Sequence, residues 1–243
     1  MLAGQATQIA ARDAKKQLLD AAAKAWSVNA DDIDIKNAVV FLKSNPERNM
    51  PFERLAKIAS YEGSGAVILG KGYSGYGLEP LDFNTGRGNA GTSFSFTAQT
   101  TRVGVDMETG HVTVTDFAIA HDCGRPLHPV SVESQNEGGA VQGMGQAIYE
   151  DFIMDKGKTL NPTFLDYKMP RSTDVPAIRV IDIVTDDPDG PFGAKEASEG
   201  SHVSAPPSIV SALHDATGIW FKELPVTSEK IVKALKEKGA WLK

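Results

Sequence analysis

The residue types best suited to chemistry are concentrated in Asp189-Gly190-Pro191-Phe192-Gly193-Ala194-Lys195-Glu196-Ala197-Ser198-Glu199-Gly200. Small residues there leave backbone N–H groups open to a bound anion, and Glu196 and Glu199 put two carboxylates one helical turn apart or on one tight loop. Such a loop can cradle a phosphorylated cofactor. From composition alone the plainer reading is a Gly/Pro surface loop carrying solvated acids.

Other candidate constellations are weaker. Two Gly-x-Gly-x-x-Gly matches occur, Gly70/Gly72/Gly75 and Gly86/Gly88/Gly91, but the first runs into Leu78-Glu79-Pro80 and the second into the β-rich Ser93-Phe94-Ser95-Phe96. A dinucleotide fingerprint needs a helix N-terminus at that point to hold the pyrophosphate, so loop glycines are the better reading. His121, Cys123 and His128 fall short of four closed zinc ligands, and no second Cys/His pair lies near; no residue is assigned as a metal ligand. His202 and His214 lack partners in the same way. Ser74 misses the nucleophile elbow because Tyr76 stands where glycine is required, which argues against a serine hydrolase. The single cysteine, Cys123, can form no internal disulfide and cannot alone hold an iron–sulfur cluster.

These residues must be positioned by the elements around them. The Ala-, Leu- and Lys-rich stretch 3–26 has Ile9, Leu18, Ala22 and Trp26 near helical spacing and predicts a long helix. Residues 32–35 and 38–41 suit a hairpin around Lys36-Asn37, and Pro51 opens a short helix over 51–60 with Leu55, Ile58 and Ala59 inward. After the glycine-rich stretch 63–91, two Thr/Val/Phe-rich strands, 93–106 and 111–120, pair as an antiparallel hairpin. Residues 130–151 form a helix whose glycines imply close packing or a ligand, and 178–184 a buried strand. Beyond the loop 185–199 come helices over 205–217 and 228–238, the last opened by Ser228. Helices mixed with antiparallel strands, without regular βαβ alternation, give an α+β fold over 1–243, with a possible sub-boundary near 60–92.

The 243 residues are 41% hydrophobic and 23% charged, enough for a sizeable core. A net charge of −6 with scattered basic residues disfavours a nucleic acid partner. No run approaches the roughly 18 apolar residues of a membrane span, and the start Met1-Leu2-Ala3-Gly4-Gln5 lacks signal-peptide character, so a cytoplasmic protein is expected.

A resemblance sharpens the reading of the acidic loop. That loop, Ser204-Ala205-Pro206-Pro207-Ser208-Ile209-Val210 through Asp215-Ala216-Thr217-Gly218, and Glu223-Leu224-Pro225-Val226-Thr227 together resemble the C-terminal signature of xanthine-dehydrogenase-family molybdenum subunits. Upstream, Ala120-His121-Asp122-Cys123-Gly124-Arg125-Pro126-Leu127-His128-Pro129 and Glu137-Gly138-Gly139-Ala140-Val141-Gln142-Gly143-Met144-Gly145 resemble it in the same order. Most relatives read Gly-Val-Gly-Glu in the catalytic loop; Glu196-Ala197-Ser198-Glu199 is a variant similar to that of the 4-hydroxybenzoyl-CoA reductase alpha subunit.

The resemblance implies a molybdenum–molybdopterin cofactor, with a pterin dinucleotide form expected, and Glu199 beside the metal as catalytic base. Ala197 and Ser198 then belong to the loop touching the coordination sphere, Gln142 matches a glutamine that contacts the pterin, and Lys195 is a cofactor-loop residue. Glu196 stands where relatives have glycine, and its role is open. A metal-activated oxygen gives up its proton to such a base as it attacks an electron-poor carbon, and a carboxylate in an apolar or like-charged setting is expected to have a raised pKa. The reductase branch implies removal of the phenolic hydroxyl of an aromatic acyl-CoA. The alternatives are an aldehyde, purine, nicotinate or carbon-monoxide-type hydroxylase, or a non-catalytic assembly domain. Since relatives also bind the cofactor through a Phe-Gly loop and a Gly-Gln-Gly loop not recognisable here, the implied partners are an N-terminal molybdenum-binding half, an iron–sulfur subunit and a flavin subunit carrying FAD.

Overall fold

The computed structural model describes residues 1–62, 67–75, 79–89, 91 and 93–241, which divide into two compact units, Met1–Thr92 and Ser93–Lys243. In the first unit, α1 (Leu2–Trp26) ends at Ser27 in the left-handed conformation, φ 53°. β1 (Ile33–Lys36) and β2 (Val39–Leu42) form the expected hairpin, its two-residue turn made by Asn37 and Ala38 at φ 50° and 57°, the pairing that matches strand twist. A third strand, β3 (Asn45–Pro51), adds to β2 and was not expected from sequence: of its residues only Met50 is buried, so it carries no apolar alternation. Pro51 therefore closes a strand, and the helix predicted over 51–60 is instead α2 (Phe52–Lys57) followed by a π-turn over Ile58–Glu62. Ala22, Ile33, Val40, Met50 and Leu55 form the core of this unit. β4 (Glu79–Asp82) and β5 (Arg87–Asn89) make a small hairpin turning at Gly86, φ 67°. Gly70 and Gly72 are accounted for by close approach, since a Cβ there would lie 2.2 Å from the Ala10 carbonyl oxygen and 1.9 Å from that of Ala6. Residues 63–66, 76–78 and 90 of the glycine-rich stretch lie outside the described residues.

The second unit is built on a three-stranded sheet. β6 (Phe96–Val105) and β7 (Val112–Asp122) pair antiparallel as predicted, their turn fixed by Asp106, whose Oδ1 accepts the N–H groups of Glu108 and Thr109 at 2.9 and 3.0 Å. Next come α3 (Pro129–Ile148), the short hairpin of β8 (Met154–Asp155) and β9 (Lys158–Thr159), β10 (Ile178–Ile183), α4 (Glu199–Thr217) and α5 (Ser228–Glu237). The sheet order is β10-β7-β6, and β10 lies parallel to β7. This corrects two expectations: one pair is parallel, and β10 is a half-covered edge strand with Ile181 and Ile183 exposed rather than a buried one. Phe117, Ile119, Val112 and Val114 of β7 meet Ala140, Met144, Ile209, Leu213, Ile231 and Leu235 of the helices in one core. The class is α+β.

Two helix starts also differ from expectation. α4 begins at Glu199, six residues before the predicted position: the Pro206-Pro207 pair resembles an N-terminal signal, yet both prolines lie inside the helix. α5 is capped by Thr227, whose hydroxyl accepts the Lys230 N–H, rather than by Ser228. Among the described residues no helix is long and apolar enough to cross a membrane.

α3 and α4 touch through glycine. A Cβ on Gly143 would lie 2.6 Å from both the Ala205 methyl and the His202 carbonyl oxygen, whereas one on Gly138 meets nothing within 4 Å. Gly143→Ala is therefore expected to lower stability by about 1–3 kcal/mol through overpacking, and Gly138→Ala to raise it by up to about 1 kcal/mol through helix propensity. Urea midpoints of the two variants should move in opposite directions.

Candidate functional site

The loop 184–198 returns from the end of β10 to the start of α4 and is zipped along the end of β7. Lys195 N–H donates to the Cys123 carbonyl at 2.7 Å, Arg125 N–H to that of Gly193 at 2.8 Å, and Gly124 bridges Ala194. Gly124 is required by this contact: its φ is 70°, and a Cβ would lie 2.2 Å from the Gly193 carbonyl oxygen. An exposed Arg125–Asp186 fork reinforces the same seam.

Beneath the loop lies a buried ion pair. Lys195 Nζ sits 2.6 Å from Asp122 Oδ2, with side-chain exposures of 7% and 10%, and also donates to the Phe94 carbonyl at 3.0 Å. Asp122 accepts further bonds from Thr185 Oγ1 at 2.6 Å and the Gly124 N–H at 2.9 Å. Burial alone would push the Asp122 carboxyl up, but the bonds from Lys195, Thr185 and the Gly124 N–H outweigh it and hold the group below its ordinary value. Next to it, burial and then the charge of Asp182 push the Cys123 thiol up, so it is a packed, protonated thiol at neutral pH.

His121 is fully buried. One ring nitrogen lies 2.6 Å from Thr97 Oγ1 and the other 3.1 Å from the Glu196 carbonyl oxygen. Glu196 itself turns back on the chain: its Oε2 accepts the N–H groups of Ser198 and Glu199 at 3.1 and 3.2 Å, and its Oε1 accepts the Ser95 hydroxyl. α4 is anchored below this point by Ser201, which donates to Asn136 of α3 and whose carbonyl accepts from Gln99 of β6 at 2.6 Å. Gly200 leaves no room for a side chain, since a Cβ would lie 2.3 Å from Thr97 Oγ1.

Of the residues singled out from sequence, Lys195 and Ala197 line one cleft of about 220 Å³ with Cys123, Arg125, His128 and Gln135. Ser198 and Glu199 follow directly, Glu199 being the exposed first residue of α4. Its carboxylate makes no hydrogen bond or ion pair among the described residues. Gln142 is outside that cleft, exposed on α3 two turns beyond Gln135 on the same helix face and one turn past Gly139, where an added Cβ would lie 2.7 Å from the Ser198 carbonyl oxygen. Lys195 differs from the others in that its ammonium is buried and engaged. Sequence reasoning did not foresee the bonds that Asp122, His121, Thr97 and Ser95 make to this loop and its supports; Asp122 and His121 lie in the segment 120–129 singled out above, but spacing does not say what a polar residue at a strand end faces. His128 accepts the Ser131 N–H and caps α3, and His214 stacks on Trp220 at 4.0 Å. Among the described residues no group of three or more His, Cys, Asp or Glu is placed to hold a metal ion.

Residues 1–176 match the profile of the family described as the molybdopterin cofactor-binding domain. The chain belongs to that family. It is 35% identical over 175 residues to the probable hypoxanthine oxidase XdhD of Escherichia coli K12, a match covering 70% of this chain and 18% of that protein. To the carbon monoxide dehydrogenase large chain of Hydrogenophaga pseudoflava it is 29% identical over 240 residues, 97% of this chain and 29% of that one. The crystal structure of the Cu,Mo-CO dehydrogenase superposes with a TM-score of 0.77 at 25% identity, over 98% of this chain and 29% of that chain. This molybdopterin cofactor-binding domain thus spans between 18% and 29% of the length of these relatives.

Proposed function

We propose that this chain forms the C-terminal part of the molybdenum-bearing subunit of a cytoplasmic, xanthine-dehydrogenase-type oxidoreductase, with Glu199 as its proton-transferring group. The observation that carries the reading is the Glu199 carboxylate, without a hydrogen bond or ion pair among the described residues, at the first residue of α4 and just past a loop anchored at Lys195 and Glu196. A molybdenum–pterin group, in its dinucleotide form, supplies two-electron redox chemistry when bound. The residues present suit one flank of it: an acid–base group in Glu199, the exposed carboxamide of Gln142 for a polar heterocycle, and the small side chains of Ala197 and Ser198 where close approach is needed. Lys195 serves the same loop from beneath, by holding it to Asp122.

In this reading the rest of the pocket comes from an N-terminal molybdenum-binding half. On the same reading, electrons pass through iron–sulfur clusters and FAD on partner subunits; the single cysteine of these 243 residues cannot itself ligate a cluster. The variant loop Glu196-Ala197-Ser198-Glu199 points to reductive dehydroxylation of an aromatic acyl-CoA such as 4-hydroxybenzoyl-CoA. A second reading, hydroxylation of a purine, an N-heterocycle or carbon monoxide, is favoured by relatives named as a probable hypoxanthine oxidase, a nicotine 6-hydroxylase large subunit and a carbon monoxide dehydrogenase.

The test is to purify the assembly containing this chain, quantify molybdenum and pterin, and assay both directions. Loss of the 4-hydroxyl from 4-hydroxybenzoyl-CoA with a low-potential donor is expected. Hydroxylation of a purine or N-heterocycle with an electron acceptor would move the substrate to the second reading, and an assembly without molybdenum would reject the cofactor.

A further inference from the structure

We propose that Glu196 is a positioning residue: its carboxylate closes the N-terminus of α4 and so fixes the direction in which Glu199 is offered. The inference rests on the reading of Glu199 given above. Helices are usually opened by the side chain of the N-cap residue, but Ser198 makes no such bond here. Glu196 does that work from two residues upstream, accepting the N–H groups of Ser198 and Glu199 at 3.1 and 3.2 Å. A negative charge at this end of the helix is also the favourable sign for its dipole.

Glu196 is itself held at both ends. Its second carboxylate oxygen accepts the Ser95 hydroxyl, from the segment leading into β6, and its main-chain carbonyl faces the ring of His121, which is pinned on its other side by Thr97. The preceding residue, Lys195, is locked to Asp122, and the following helix has no slack at Gly200. The freedom left between these anchors is the rotation of the Ala197-Ser198 link, and the Glu196 carboxylate removes it. Where glycine occupies this position, that closure must come from elsewhere.

The experiment compares Glu196→Ala, Glu196→Gln and Ser95→Ala in the assembled enzyme, with Glu199→Gln as reference. Misplacing a reacting group by about 1 Å costs on the order of 100-fold, so Glu196→Ala is expected to lower kcat by roughly 10- to 100-fold with KM little changed. Glu196→Gln keeps an acceptor oxygen and should recover most of the rate, with Ser95→Ala in between. Hydrogen–deuterium exchange over residues 197–204 should accelerate in Glu196→Ala and not in Glu196→Gln. With Glu199→Gln impaired, unchanged kcat in Glu196→Ala or equal losses in the Ala and Gln variants would overturn the proposal, as would unaltered exchange in any case. Full turnover of Glu199→Gln together with accelerated exchange in Glu196→Ala would instead reject the reading of Glu199 and leave the helix closure standing.

Discussion

Replacing Glu199 with Gln is expected to cut turnover of the assembled enzyme by about two powers of ten or more, the usual scale for losing a general base, while molybdenum and pterin content stay at the wild-type level. The substitution keeps the shape of the side chain and removes only its ability to take a proton. Because Glu199 is exposed and its carboxylate makes no hydrogen bond or ion pair within the described residues, the fold should notice little, within about 0.5 kcal/mol for a surface position. Its backbone N–H, the part of the residue that does have a partner, is untouched. The measurement is kcat at saturating substrate beside metal analysis and the melting temperature of the same preparation. Wild-type turnover would turn the argument toward a non-catalytic assembly domain that kept the fold; loss of cofactor together with activity would make Glu199 a binding group.

What the sequence revealed follows from which signals are local. β6 and β7 were legible because alternation and the Asp106–Gly110 turn both lie within a dozen residues of each other, and α1 because its composition repeats over 25 residues. β3 was not legible, since its polar, proline-containing stretch pairs through the backbone and buries one side chain. The start of α4 was hidden for a different reason. Residues 199–204 carry no strong helix signal, and the helix there is secured by Ser201 on Asn136 and by Gln99 on the Ser201 carbonyl, partners 65 and 102 residues away. The candidate site shows the same division. Residue types alone singled out Glu199 and Glu196 as two acids on a small-residue loop, and only the family resemblance added Gln142, Lys195, Ala197 and Ser198; the pairing of Lys195 with Asp122 across 73 residues, and of His121 with Glu196 across 75, exists only once β7 lies beside the loop.

That long-range pair yields the second large effect. Lys195→Met should destabilise the protein by about 3–5 kcal/mol at neutral pH, because it strands the Asp122 carboxylate at 10% exposure with only Thr185 and the Gly124 N–H for compensation. The pH dependence separates charge from packing. In the wild type, Asp122 is held below its ordinary value, so its stabilising contribution is complete above the unfolded carboxylate range near pH 4 and is lost as pH falls through the folded value. In the variant the cation is gone, burial dominates, and the carboxyl moves up; acid then neutralises a strained charge and relieves the defect. The stability gap should therefore narrow between about pH 7 and pH 4, read from urea midpoints at each pH. A gap that stays constant would mean that the lysine acts through its aliphatic stem and its ammonium over the Phe96 ring, 5.8 Å from the centroid, rather than through the pair with Asp122. The loop bearing Glu199 would then be held down by packing, and the zipped main chain from Gly193 to Lys195 would be sufficient to place it.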